Sequence, residues 1–148
     1  MSKDSVTINL DEIPVYSKFE IARHQLEQSI KFYLDDKDYI CAITLAGASE
    51  EILGKLLEAK GKENDLTNFV NACVDINELM DGEKIPRKEF VEMANFHRNH
   101  LKHIVDGSDV FVTKESARQM IDRALSNFWD LTRGKQSEIM KRYYEVRW

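Results

Sequence analysis

Between Phe96 and Asp106 the chain runs FHRNHLKHIVD, and the seven residues from His97 to His103 hold one arginine and three of its four histidines. Such a set can do two kinds of chemistry. Neutral imidazoles bind a metal ion, at about 2.0–2.1 Å for zinc, usually with a carboxylate or thiolate completing the ligand set. Alternatively, a histidine with a pKa of about 6.5 takes or gives a proton at neutral pH, while an arginine holds a phosphate through two parallel N–H bonds and offsets the charge that develops on it. Arg98 and His103 together carry both functions that phosphodiester cleavage needs.

On a helical wheel advancing about 100° per residue, these side chains fall on different faces. His97 lies inside the apolar stripe, as a hydrogen-bonded core or boundary histidine or as a reactive one. Arg98 and His100 sit on opposite borders of the stripe, and Asn99 and His103 point away from it. No three histidines converge on one straight helix, and neither Cys41 nor Cys73 is close in sequence, which counts against the metal alternative. The acid/base alternative meets a separate difficulty, because about 140° divides Arg98 from His103. Either the helix ends or bends before His103, or a second copy of the chain completes the site across a two-fold axis. Phe96, an aromatic on the polar face beside Asn99 and His103, suits an interface, although a single exposed aromatic is also ordinary. Glu50 and Glu51 are further candidates: a carboxylate facing Arg98 would orient it, and the same pair would serve equally as solvated surface charge.

The elements that must position these residues are helical. Only two prolines occur, Pro14 and Pro86, and long segments between breakers show 3.6-residue periodicity. A first helix is expected over residues 17–34, with Phe19, Ala22, Leu26, Ile30 and Tyr33 as its stripe. A second, over 37–60, lines up Ala42, Ala46, Ser49 and Leu53 and ends at Gly61, a C′ glycine; its small residues let another helix approach closely. Residues 64–80 form a shorter helix inserted between the main ones. The third main helix follows Pro86, spans 87–105, and turns Phe90, Val91, Ala94, Leu101, Ile104 and Val105 inward. Thr113 caps the fourth, whose stripe is Ala117, Ile121, Ala124, Leu125, Phe128 and Leu131, with Glu115 favouring the helix dipole. Val6, Ile8 and Leu10 alternate with polar residues, which suits a brief strand or extended arm. Four long helices with short or moderate connections give an all-α, up-and-down four-helix bundle over 17–133, preceded by an arm (1–16) and followed by a basic and aromatic tail (134–148).

At 148 residues the chain supports one domain with a single core. Its formal charge of −5 argues against indiscriminate coating of DNA but leaves room for a local phosphate site. No segment approaches the roughly 18 apolar residues of a membrane span, and the N-terminus lacks an apolar signal core; a cytoplasmic location with no membrane partner follows. Both cysteines fall in apolar helical stretches, as reduced core residues. From Arg133 onward, five basic and two acidic side chains interleave with Tyr143, Tyr144 and Trp148. Such a tail could grip a nucleic-acid strand, or be an exposed helical extension or an oligomer contact.

Arg98-Asn99-His100-Leu101-Lys102-His103 resembles the R-x(4–6)-H motif of the HEPN superfamily, the higher eukaryotes and prokaryotes nucleotide-binding domain, including the polar residue that follows the arginine. The stretch AITLAGASEEILGKLL resembles the second helix of that group, so the likeness covers residues 17–133. It implies a homodimeric helical domain, often an endoribonuclease that needs no metal or other cofactor and in which the ribose 2′-hydroxyl attacks its own phosphate. His103 would be the general base or acid, Arg98 would neutralise the phosphorane, and Asn99 would position a phosphate or the imidazole. His100 departs from the simple motif as a second candidate proton carrier. The resemblance further implies RNA or a nucleotide as ligand. As partner it implies a separately encoded antitoxin or nucleotidyltransferase-fold protein. Relatives that bind without catalysis give the alternative of a nucleotide-binding or protein-interaction module.

Overall fold

The computed structural model describes residues 9–80, 82–103 and 107–148, and among these the chain is all helical, with no strand. Val6, Ile8, Ile104 and Val105, assigned above to an arm and to a buried stripe, lie outside the described residues. Leu10, expected in the same strand, opens a short 3-10 turn (Leu10–Glu12) and is exposed.

The helices are α1 (Lys18–Lys31), α2 (Tyr39–Ala59), α3 (Asp65–Leu79), α4 (Arg87–Ala94), α5 (Phe96–Lys102), α6 (Lys114–Thr132) and α7 (Glu138–Val146). Local chemistry sets many of their limits. Ser17 and Glu20 form a reciprocal capping box at the start of α1, and Thr113 and Ser116 form one at α6. Asp38 caps α2 by accepting the Cys41 N–H at 3.0 Å, and Asn64 caps α3 by accepting that of Thr67 at 2.8 Å. A wider π-type turn over Phe32–Asp36 follows α1 and closes on Lys37 with φ of 51°.

Central to the packing is α2, which lies along both α1 and α6. Ala22, Leu26 and Ile30 of α1, Ala42, Ala46 and Leu53 of α2, and Ile121, Ala124 and Leu125 of α6 meet in one core, so all three expected stripes face it, with Phe19 and Leu131 at its edge and only partly buried. Two hydroxyls knit α1 to α2: buried Ser29 Oγ donates to the Ala42 carbonyl at 2.6 Å, and buried Ser49 Oγ to the Ala22 carbonyl at 2.7 Å. Such short cross-helix bonds need the small residues that line the pair.

Two features differ from expectation. The third main helix is interrupted at Asn95 (φ −100°, ψ 6°), giving α4 and α5, and α5 stops at Lys102. The tail does not stand apart, because α7 folds back onto α1. Met140 and Tyr143 are 0% exposed within the main core. Tyr143 Oη donates to Asp122 Oδ1 at 2.9 Å, Arg147 Nη1 donates to the same oxygen at 3.0 Å, and Tyr33 Oη donates to the Arg147 carbonyl at 3.2 Å. The stripe Met140–Tyr143 of so short a segment carries too little periodicity to be seen against its charge. Among the described residues, no helix is long and apolar enough to cross a membrane.

Candidate functional site

The cluster is positioned by α5, a helix of two turns that docks on α2. Arg98 crosses α2 at Gly47, and its Nη1 donates to Glu50 Oε2 at 3.0 Å. Glu50 is 3% exposed, and its other oxygen accepts from Arg123 Nη2 of α6 at 2.9 Å. One buried carboxylate therefore faces two guanidinium groups, a grouping with a formal excess of positive charge. A buried carboxylate needs such partners, since an unpaired one would be strongly disfavoured.

Arg123 also explains the interruption at Asn95. Its Nη1 donates to the Ala94 carbonyl at 2.7 Å and its Nη2 to Asn95 Oδ1 at 2.9 Å, so a side chain from α6 satisfies the end of α4 and turns the chain there. Asn127, one turn further along α6, donates to the Glu50 carbonyl at 3.3 Å and accepts the Asp65 N–H at 2.8 Å, tying α3 to the same centre. Glu51, the other carboxylate of the pair, lies outside this network and bonds Lys55 at 3.1 Å, which holds its carboxyl below the usual range.

Arg98 is 16% exposed, and it borders a small, mostly apolar cleft of about 100 Å3 with Thr44, Ala48 and Lys102. The cleft is of the size of one phosphate, and two of its four bordering residues, Arg98 and Lys102, are cationic. His103 follows Lys102 at the end of α5. Its backbone is extended (φ −132°, ψ 147°), its N–H donates to the Asn99 carbonyl at 2.9 Å, and its side chain is exposed. The helix thus ends before His103, the first of the two outcomes that the wheel allowed.

The other members of the cluster separate. Asn99 and His100 line a different surface groove with Met93 and Phe96, and the His100 ring lies 4.1 Å from that of Phe96. Among the described residues no hydrogen bond joins Arg98 to Asn99, His100 or His103. His100 and Lys102 occupy the last turn of α5, where the charge of Lys102 complements the exposed carbonyls.

His97 points the opposite way, into a cleft of about 380 Å3 that it shares with Asp65, Phe69, Arg118 and Arg123. Its Nδ1 is buried with no hydrogen-bond partner among the described residues, so it is not the satisfied core histidine of the first alternative. Burial, and then the charge of His100, lower its pKa and keep the ring neutral. Across the cleft, burial raises the Asp65 carboxyl. Among the described residues no three His, Cys, Asp or Glu side chains form a group that could hold a metal ion.

Arg123, Asn127 and Asn95 are the members that sequence reasoning missed. Arg123 and Asn127 stand four residues apart beside the α6 stripe, a weak signal of paired polar groups, but their partners lie on three other elements and no local spacing announces them. Within the tail Arg147 lies over the Tyr144 and Trp148 rings at 5.2 and 4.8 Å, and Arg118 of α6 lies over Trp148 at 4.5 Å. No family model matches the chain, and no curated protein or solved structure is significantly similar to it.

Proposed function

We propose that this protein is a metal-independent endoribonuclease of the HEPN type, working as a homodimer. In this reading α1, α2, the α4–α5 pair and α6 are the four helices of an up-and-down bundle, with α3 inserted. The observation that carries the proposal is Arg98: a buried carboxylate orients its guanidinium, and the residue borders a phosphate-sized cleft beside Lys102. An arginine fixed in this way meets a phosphate without losing side-chain freedom at the moment of binding. The ribose 2′-hydroxyl attacks the adjacent phosphorus and the bond to the 5′-oxygen breaks; His103 takes the proton from the 2′-hydroxyl or delivers one to the departing 5′-oxygen, and water exchanges the other. Arg98 and Lys102 neutralise the phosphorane. Asn99 positions a phosphate or the imidazole, and His100 is the second candidate proton carrier. A separately encoded antitoxin or nucleotidyltransferase-fold partner would silence the enzyme by covering this face.

Purified protein is expected to cut single-stranded RNA in excess EDTA, leaving 2′,3′-cyclic phosphate ends. His103→Ala, at an exposed position, is expected to lower the rate by about 10²–10⁴-fold without unfolding the chain. Arg98→Lys, which keeps the charge but loses the fork, is expected to lower it as well. Sedimentation should give a dimer. Cleavage that survives both substitutions sinks the assignment.

A second reading rests on the same arginine. Arg98 already spends one donor edge on Glu50 and is mostly buried, as a structural tether would be. In that case the domain binds a nucleotide or a protein without turnover, and His103→Ala leaves binding intact.

A further inference from the structure

A wide groove lies away from Arg98, where α1, the C-terminal end of α2 and the α6–α7 turn meet. It encloses about 850 Å3. Its apolar wall includes Phe19, Leu56, Phe128 and Leu131, with the Phe19 and Phe128 rings stacked at 5.7 Å and 15°. Four cations line it, Arg23, Lys60, Arg133 and Lys135, against a single carboxylate, Glu27. The lining therefore carries a formal charge of +3 in a chain whose total is −5.

None of these four cations has a hydrogen-bond or ion-pair partner among the described residues. The arginines make the contrast plain. Of the eight in the chain, Arg98, Arg118, Arg123, Arg142 and Arg147 hold carboxylates, and Arg87 donates to Asn71. The remaining two, Arg23 and Arg133, line this groove, Arg23 standing also beside a second one with Glu20. Arg133 is moreover held in the left-handed conformation (φ 55°, ψ 47°) that ends α6. Glycine adopts that conformation freely and an L side chain only at a cost, so an arginine there is an expense that α6 does not require. The backbone continues through Gly134 (φ 86°), packed on Trp129, and returns Lys135 to the same groove. Ser137, the N-cap of α7, makes no side-chain capping bond, and its buried hydroxyl has no partner among the described residues although it too lines the groove.

We infer that this groove binds a phosphate monoester on a flat apolar body, the class to which nucleoside monophosphates belong. A phosphate monoester carries close to two negative charges at neutral pH and three strong acceptor oxygens, which matches a +3 lining with two free guanidinium forks and a free hydroxyl. A simple carboxylate would leave most of that charge unanswered. The ring of the ligand lies against Phe19, Leu56 and Leu131, and its head faces Arg133, Lys135 and Ser137. The inference stands independently of the roles given to Arg98 and His103.

Calorimetric titration at low salt with 5′-AMP, phenyl phosphate, inorganic phosphate and adenosine tests it. Both esters are expected to bind at least about tenfold more tightly than inorganic phosphate or adenosine. Arg133→Gly suits the left-handed backbone and so preserves the fold; it is expected to weaken both esters by about tenfold or more, and Arg23→Ala to do likewise. Arg98→Lys should leave these affinities at the wild-type level. The inference is overturned if neither ester binds at millimolar concentration, if inorganic phosphate binds as tightly as the esters, or if affinity depends on Arg98 and not on Arg133. Because the readout is binding, absence of RNA cleavage leaves it standing.

Discussion

A Cβ on Gly47 would stand 2.6 Å from Arg98 Cγ and 2.8 Å from its Cδ. The glycine is therefore the space through which Arg98 reaches Glu50, and it sits in the interior of a helix, where alanine is ordinarily better by about 1 kcal/mol. These two facts give Gly47→Ala a sign that depends on its neighbour. In the wild-type background the added methyl displaces the arginine stem and costs roughly 1–3 kcal/mol, as overpacking does. In an Arg98→Ala background the clash is gone, and the same change should stabilise by about 1 kcal/mol. A double-mutant cycle by urea denaturation measures the difference; additive effects would show that Arg98 does not lie across Gly47. At this scale the sequence was partly legible. Arg98 and a carboxylate on the second helix were visible as candidates, but Glu50 could not be told from Glu51, because adjacent helical residues point about 100° apart and only the packing of α6 decides which is buried.

The interruption at Asn95 shows why element boundaries were harder to read than element identity. The stripes of α1, α2 and α6 repeat over about three to four turns, so periodicity alone marks them. Asparagine is only mildly unfavourable in a helix, and nothing local stops the stretch 87–102 from running straight. What stops it is Arg123, from a helix nearly thirty residues away in sequence, donating to the Ala94 carbonyl and to Asn95 Oδ1. Asn95 is 4% exposed, so its amide has few substitutes for that contact. Asn95→Ala is expected to cost about 1–2 kcal/mol in denaturation experiments, the loss of one bond to a charged donor at a buried position. It should also loosen α5 and lower any activity that depends on Arg98. Unchanged stability would mean that the turn is dictated by α5 docking on α2 and not by the guanidinium of Arg123.

Over the whole molecule the question is where the folded unit ends. Charge and aromatic content set residues 134–148 apart in the sequence, whereas the structure gives α7 a share of the same core as α1 and α6. Tyr143 joins this to the polar side of α6. Burial, followed by the nearby charge of Asp122, raises its pKa, so the hydroxyl remains a donor to Asp122 throughout the neutral range. Losing a buried methionine costs about 2–5 kcal/mol and losing a large buried aromatic about 3–5 kcal/mol. Removing residues 137–148 takes away both, along with the Arg147 bond to Asp122. A total stability of roughly 5–15 kcal/mol leaves little after such a loss. The chain truncated after Gln136 is therefore expected to unfold at far lower urea than the full chain, with amide protection lost along α1 and α6 as well as near the cut. A separable tail would instead leave the denaturation midpoint where it was. Because Ser137, the N-cap of α7, lines the groove beside Arg133 and Lys135 of the preceding turn, the same truncation should also weaken binding of phosphate monoesters, even under conditions where the remaining helices persist.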